Sequence, residues 1–98
     1  SKGYKIKLKP GHVISNEPGF YKKGKFGIRI ENMIYVKQIK SKVFFENLTM
    51  VPIDKELINF NLLNRNEKNY LLNYNLRIYS NVEKYLNYKE KFWLLSQF

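Results

Sequence analysis

The sequence lacks features that define several classes of protein. It contains no cysteine, which excludes disulfides and thiolate metal sites. No stretch approaches the roughly eighteen consecutive apolar residues of a transmembrane helix, and the start has no hydrophobic segment typical of a secretion signal. Its 98 residues make one domain at most. We therefore expect a cytoplasmic protein without membrane association.

Acidic residues are also scarce, with 8 Asp and Glu against 18 Lys and Arg and a net charge of +10. Near the start, the lysines at positions 2, 5, 7 and 9 alternate with apolar or aromatic residues such as Tyr4, a pattern found in proteins that bind single-stranded nucleic acid. However, the lysines are spread along the chain, and no RNP, KH or helix-turn-helix motif is present. Nucleic-acid binding is therefore an alternative hypothesis, ranked second to a metal-binding function.

The few glycines and prolines mark a β-hairpin. From residue 27 to 36 the chain alternates, with one face formed by Ile28, Ile30, Ile34 and Val36 and the other by Arg29, Glu31, Met33 and Tyr35. A shorter strand is predicted over residues 13–17, and the loop between the two strands contains Pro18, Gly19 and Gly24. Glu17 and Glu31 are each seven residues from Gly24, so a hairpin centred there brings them face to face.

Two opposed carboxylates on one sheet face repel each other unless a cation lies between them or one is protonated. A divalent metal ion would remove this conflict, which makes Glu17 and Glu31 candidate ligands, although most glutamates are simply solvated. Arg29 lies on the same predicted face as Glu31. It is either a solvated cation or a group that orients the carboxylates through its planar guanidinium.

Four segments carry a resemblance to a known family. They are Ser15-Asn16-Glu17-Pro18-Gly19, Gly27-Ile28-Arg29-Ile30-Glu31-Asn32, Phe45-Glu46-Asn47-Leu48-Thr49-Met50-Val51-Pro52-Ile53 and Leu71-Leu72-Asn73-Tyr74. Together they resemble the metallopeptidases with the pita-bread fold, and most closely the long, soluble form of X-Pro aminopeptidase. The resemblance is specific from about residue 11 to 74. It implies that the chain is a C-terminal piece of a catalytic domain.

The resemblance also implies a mechanism and a set of site residues. Glu31 would bridge two divalent metal ions, typically manganese, Glu17 would bind one of them and serve as the candidate general base, and Arg29 would lie in the active site. Two aspartates and a histidine upstream would complete the ligands, so His12 is expected to be non-catalytic and the fragment alone inactive. The substrate would be a peptide with proline at its second position, and the full-length protein a homodimer. Related peptidases share the two glutamates, and a non-catalytic relative of the same fold is a further alternative.

The predicted fold class is α+β, with antiparallel strands followed by two helices. We assign residues 1–63 to a partial pita-bread catalytic domain with the metal-ligand hairpin, and residues 64–98 to its helical extension. A strand is predicted over residues 43–53, ended by Pro52. Asn64 and Glu67 predict a helix start by a capping box. The apolar face of this helix, to about residue 86, is predicted to contain Leu72, Leu76, Tyr79, Val82 and Leu86. A second helix is predicted over residues 88–97, with Phe92 and Trp93 as core or subunit-contact residues.

Overall fold

The computed structural model describes residues 5–98. Two of the residues in the lysine-rich pattern, Lys2 and Tyr4, therefore lie outside the described part. The chain forms two compact units that divide between Thr49 and Met50. Met50 and Ile53 belong to the second unit because they pack onto the helices that follow.

The first unit consists of five antiparallel strands. They are β1 (Val13–Asn16), β2 (Gly19–Lys22), β3 (Phe26–Arg29), β4 (Asn32–Ile39) and β5 (Lys42–Asn47). Strand β4 lies between β1 and β5 in a three-stranded sheet, while β2 and β3 form a separate two-stranded sheet. The β2–β3 hairpin is thus inserted between the two strands of the β1–β4 pair.

The turn of the β2–β3 hairpin has the predicted centre. Gly24 has a positive φ of 69°, a conformation that glycine adopts without steric cost. The Lys25 N–H donates to the Lys22 carbonyl over 2.9 Å and closes the turn. The hairpin is therefore centred on Gly24, as the sequence predicts.

The aliphatic face of β3 and β4 is buried unevenly. Val36 is only 1% exposed, whereas Ile28 and Ile30 remain largely exposed. The prediction of a continuous strand from residue 27 to 36 is also wrong in one respect, since Ile30 and Glu31 separate β3 from β4. Every residue of β2 and β3 is exposed, so this two-stranded sheet contributes no buried side chain to the first unit.

The strand predicted over residues 43–53 is shorter than expected, because β5 ends at Asn47. After Asn47, Leu48 makes one more backbone hydrogen bond to Met33, and the chain then leaves the sheet. The Val51 carbonyl accepts a hydrogen bond of 2.6 Å from the Tyr74 hydroxyl, so this segment packs with the second unit instead of extending β5. The Val51 carbonyl is therefore satisfied by the side chain of Tyr74, a helical residue, instead of by a neighbouring strand.

The second unit contains two α-helices, α1 (Arg65–Val82) and α2 (Tyr88–Ser96), and three 3-10 turns, Lys55–Leu57, Phe60–Leu62 and Glu83–Tyr85. The predicted capping box at α1 is present, since Asn64 accepts from the Glu67 N–H over 2.9 Å and Glu67 accepts from the Asn64 N–H. Asn87 and Glu90 form a second capping box at α2. Each helix start therefore satisfies its free N–H groups locally.

The buried face of α1 agrees with the predicted one only in part, since Tyr79, Val82 and Leu86 pack against the core but Leu72 and Leu76 do not. The core contains Tyr74, Ile78 and Leu94, with Tyr79, Val82 and Leu86 packed around them. Leu72 and Leu76 are 58% and 57% exposed, so their assignment to the buried face is wrong. Helix α1 has two adjacent apolar faces. Tyr74 packs against residues 50–53, and this contact buries the face that contains Ile78 instead of the face that contains Leu72 and Leu76.

Helix α2 buries only Leu94, while Phe92 and Trp93 are exposed. They are thus not core residues of this chain, which leaves the subunit-contact hypothesis for them. Within residues 5–98, neither helix combines the length and apolar character needed to cross a bilayer.

Candidate metal centre

Glu17 and Glu31 occupy opposed positions between the two sheets. On one side of them Ser15 pairs with Met33 and Asn16 with Asn32; on the other side Gly19 pairs with Arg29. The pairing of either sheet, continued into the residues that separate the two sheets, places Glu17 opposite Glu31. The register is therefore the same on both sides of these residues. The Ile30 N–H also donates to the Pro18 carbonyl over 3.1 Å and holds the two chains together there. The predicted register of the hairpin is confirmed.

The two glutamates share a face with Arg29. Residues that alternate along paired strands point to one side, which groups Glu17, Gly19 and Tyr21 with Gly27, Arg29 and Glu31. The Arg29 Nε lies 3.9 Å from Glu31 Oε2, and both side chains are partly exposed. At this distance the ion pair is loose, so Glu31 keeps oxygen lone pairs for a metal ion.

The charge on Arg29 is stabilised by several groups at once. The pKa of Arg29 is raised above its usual value, mainly by the hydrogen-bonded side chain of Tyr21 and then by the carboxylates of Glu17 and Glu31. One guanidinium therefore interacts with both candidate ligands. This arrangement reduces the repulsion between the carboxylates and can orient them.

Tyr21 was not identified from the sequence, although its position on the Glu31 face is visible in the alternation. A Cβ atom built on Gly27 would lie 2.7 Å from Tyr21 Cδ1, and one on Gly19 would lie 2.6 Å from the Tyr21 hydroxyl oxygen. The Tyr21 ring thus lies over both glycines. Their lack of side chains leaves the space that lets Tyr21 reach Arg29.

The hairpin supplies only part of a metal centre. Throughout residues 5–98, no three His, Cys, Asp or Glu side chains are grouped so that they could hold an ion. The only histidine of the sequence, His12, accepts a hydrogen bond from the Lys9 N–H at its Nδ1 over 3.2 Å. Divalent ions such as manganese take about six oxygen or nitrogen ligands. Two carboxylates fit the donor chemistry of such ions but do not complete a shell.

This fold and carboxylate pair agree with the class of metallopeptidase domains, and sequence comparison gives the family. Residues 42–97 match the model of the C-terminal region of peptidase_M24, and residues 1–38 match that of metallopeptidase family M24. The chain therefore belongs to metallopeptidase family M24. The predicted membership of a metallopeptidase family is confirmed.

The relatives that the chain resembles are larger proteins. It is 48% identical to a probable Xaa-Pro aminopeptidase P of Botryotinia fuckeliana over 82% of this chain and 14% of that protein. It is 43% identical to the putative Xaa-Pro aminopeptidase FRA1 of Saccharomyces cerevisiae over 81% of this chain and 11% of that protein. The chain thus spans about one seventh or less of the length of these relatives.

A solved structure shows the same fold. The X-prolyl aminopeptidase of Caenorhabditis elegans, described as a cytosolic enzyme with a di-nuclear active site, superimposes with a TM-score of 0.81 at 33% identity. The match covers 99% of this chain and 17% of that one. The predicted fold class, the C-terminal portion of a pita-bread catalytic domain with antiparallel strands followed by two helices, is confirmed.

Proposed function

We propose that this chain carries the late part of the active site of a dinuclear, metal-dependent X-Pro aminopeptidase. The observation that carries the proposal is the position of Glu17 opposite Glu31 on one face of a hairpin, with Arg29 beside both. Two facing carboxylates are unfavourable in a purely structural hairpin. They are favourable where divalent cations bind between them.

The metal ions in this proposal are two divalent cations, with manganese as the first candidate. Carboxylate oxygens are suitable ligands for manganese. When bound, such ions polarise a carbonyl oxygen and lower the pKa of water. Glu31 is proposed to contact both ions and Glu17 one of them. The name of the C. elegans structure, which specifies a di-nuclear site, supports the number of ions.

The side chains of this chain have distinct tasks in the reaction. Glu17 is the candidate general base, and its carboxylate oxygen would accept the proton of the attacking water. Arg29 would hold both carboxylates in place, because it is a fixed cation that interacts with each of them. Pro18 has no N–H to donate and fixes its own φ, so it sets the backbone directly after Glu17.

The proposed substrate is a peptide with proline at the second position, from which the N-terminal residue is released. The relatives named as Xaa-Pro aminopeptidases support this choice. We also propose that the full-length protein is a cytoplasmic homodimer, for which the cytosolic description of the C. elegans enzyme supports the location. The 98-residue chain alone should hydrolyse nothing, since it holds only two of the required ligands.

The test is a cleavage assay of the full-length protein with a matched pair of peptides, one with proline and one with alanine at the second position. We expect release of the N-terminal residue from the proline peptide only, its loss after chelation, and its recovery when Mn²⁺ is added. Metal-independent release, or equal cleavage of both peptides, would contradict the proposal. Binding of an oligonucleotide that weakens with salt, without any cleavage, would favour the nucleic-acid alternative.

A further inference from the structure

On the β5 side, the end of β4 next to Glu31 is held partly by a side chain. The last regular pair between β4 and β5 is Ile34 with Asn47. One step further, the Leu48 N–H donates to the Met33 carbonyl over 2.8 Å, and the Met33 N–H donates to the Thr49 hydroxyl oxygen over 2.8 Å. The Thr49 side chain therefore makes the last hydrogen bond of this ladder.

This hydrogen bond lies close to a proposed metal ligand. Met33 is two residues after Glu31, and on the other side of β4 the pair of Asn32 with Asn16 holds the same segment. The N–H and carbonyl groups of Met33 are thus both satisfied from the β5 side, although β5 itself has ended. Without the Thr49 hydroxyl, the Met33 N–H would lose its acceptor, and only the Leu48 N–H bond to the Met33 carbonyl would hold this end of β4 on the β5 side.

Thr49 is itself fixed in position. The Asn47 side-chain amide donates to the Thr49 carbonyl over 3.3 Å, and Thr49 is half-buried. A β-branched side chain also has restricted rotation about χ1. The hydroxyl oxygen is therefore presented to Met33 with little freedom to move.

We infer that Thr49 is a positioning residue for Glu31. Its hydroxyl fixes the backbone from Glu31 to Met33, so that the Glu31 carboxylate is held where it can contact the metal ions. The inference rests on the proposed function, because it assigns Glu31 to a metal centre. Groups that hold a metal ligand in position increase the affinity for the metal, because a ligand that must become ordered on binding lowers this affinity.

The first test measures Mn²⁺ binding to the full-length protein by calorimetry, without substrate. Thr49→Val keeps the branched shape but removes the acceptor, and we expect its affinity to fall by about tenfold. Thr49→Ser retains the hydroxyl and should bind like the wild type. Ser80→Ala is the matched control, since it removes a hydroxyl that donates to the Arg77 carbonyl over 3.1 Å in α1. It should leave the affinity unchanged.

The inference would be overturned if Thr49→Val bound Mn²⁺ as tightly as the wild type. It would also be overturned if Thr49→Val and Thr49→Ser lost the same amount of Mn²⁺ affinity. If the wild-type protein itself binds no Mn²⁺, the proposed function fails and the inference fails with it. Normal wild-type binding with an unaffected Thr49→Val variant would overturn the inference alone. The two failures are therefore distinguishable.

A second measurement needs no variant and decides the matter if Thr49→Val does not fold. Coupling between two sites is reciprocal, so a hydrogen bond that favours metal binding must itself be favoured by bound metal. In the wild-type protein, Mn²⁺ should slow amide hydrogen exchange at Met33 more than at Lys37, which pairs with Phe44 further along β4. Equal effects at the two positions, or none at Met33, would overturn the inference.

Discussion

Tyr21 and Gly27 face each other across the β2–β3 pair, and the Tyr21 ring fills the space where a side chain at position 27 would begin. The ring continues over Gly19 towards the guanidinium of Arg29. The two glycines therefore matter for the site through their missing side chains. A substitution at position 27 should therefore disturb the interaction of Tyr21 with Arg29 while Arg29 itself is unchanged.

Gly27→Ala should impair catalysis more than stability. The new Cβ would lie 2.7 Å from Tyr21 Cδ1, close to the fixed end of the ring, so the whole side chain must move away. Overpacking typically costs about 1 kcal/mol or more, and the exposed ring can swing into solvent to limit this cost. We expect a small fall in the urea midpoint and a fall in kcat of about tenfold, because Arg29 loses a partner.

The control for this prediction is the same change in a Tyr21→Ala background. Once the ring is gone, Gly27→Ala has nothing to displace, so the two changes should be strongly non-additive. Tyr21→Phe keeps the ring and removes only the hydroxyl, and should resemble Gly27→Ala in activity. Additive effects of Gly27→Ala and Tyr21→Ala would show that the ring does not connect position 27 to the site.

Glu31→Gln should remove metal without unfolding the protein. Glu31 is proposed to contact both ions, so we expect the loss of at least one metal equivalent and of nearly all X-Pro cleavage. With chelator present, the urea midpoint should not fall, because a loose, exposed ion pair contributes little and the repulsion from Glu17 is removed. Metal analysis and urea titration of the full-length protein measure both effects.

Glu56→Gln is the matched control, since Glu56 is an exposed glutamate in the second unit. It should bind the full metal complement and cleave normally. Glu17→Ala should resemble Glu31→Gln in metal content and activity. Full metal occupancy and normal turnover in Glu31→Gln would end the assignment of Glu31 as a ligand.

The sequence predicted the hairpin and the helix start because both depend on local chemistry. A turn centred on Gly24 and a strict alternation determine that Glu17 faces Glu31, and Asn64 with Glu67 forms a capping box within one turn. The family resemblance added the roles of these glutamates. Those roles were never derivable from the alternation alone.

Two failures of prediction involve contacts between distant parts of the chain. The end of β5 depends on the Thr49 hydroxyl and on the Tyr74 hydroxyl, which bonds the Val51 carbonyl. The buried row of α1 contains Ile78 rather than Leu76 because packing, not periodicity, chooses between two apolar rows. The role of Tyr21 was not predicted, because it depends on the space left by two glycines and the sequence pattern does not reveal that space.

Alkaline pH should destabilise the first unit through a cluster on β4 and β5. The Tyr35 hydroxyl donates to the Glu46 carboxylate, and Lys37 Nζ lies 2.9 Å from the same oxygen. The hydrogen bond to Glu46 is the main cause that raises the pKa of Tyr35, and the bond to Glu46 likewise raises the pKa of Lys37. Both groups are therefore protonated more readily in the folded state than in the unfolded state.

The sign of the pH effect follows from these raised values. The stabilisation is fully present below the unfolded pKa values, at about 10 for both residue types, and is lost as the pH rises through the higher folded values. Urea midpoints should therefore fall above about pH 10, and less so in Tyr35→Phe. The exposed Tyr88 provides the control variant, Tyr88→Phe. A steeper alkaline loss in Tyr35→Phe than in the wild type would contradict the assignment.

The last prediction concerns association through the second unit. Tyr85, Phe92 and Trp93 are 76%, 70% and 62% exposed, so much of their aromatic surface contacts solvent. Contiguous exposed apolar side chains are typical of contact surfaces, and Phe92 and Trp93 are consecutive residues of α2. Domains of roughly 60 to 150 residues bury only about 60 to 70% of the surface that their unfolded chains expose, which leaves a small core. We therefore expect the isolated 98-residue chain to self-associate at micromolar concentration.

Sedimentation of the wild-type chain and of Phe92→Ser/Trp93→Ser measures this association. The double variant should shift towards the monomer, because it removes two aromatic side chains from the contact without touching the buried Leu94. Phe20→Ser/Phe26→Ser is the matched control, since it removes two exposed aromatics from the hairpin, whose rings lie 5.9 Å apart. A control variant that dissociates while Phe92→Ser/Trp93→Ser does not would place the contact on the hairpin. A wild-type chain that is monomeric and unfolds cooperatively would show that its core suffices, since no partner surface would then be needed to stabilise it.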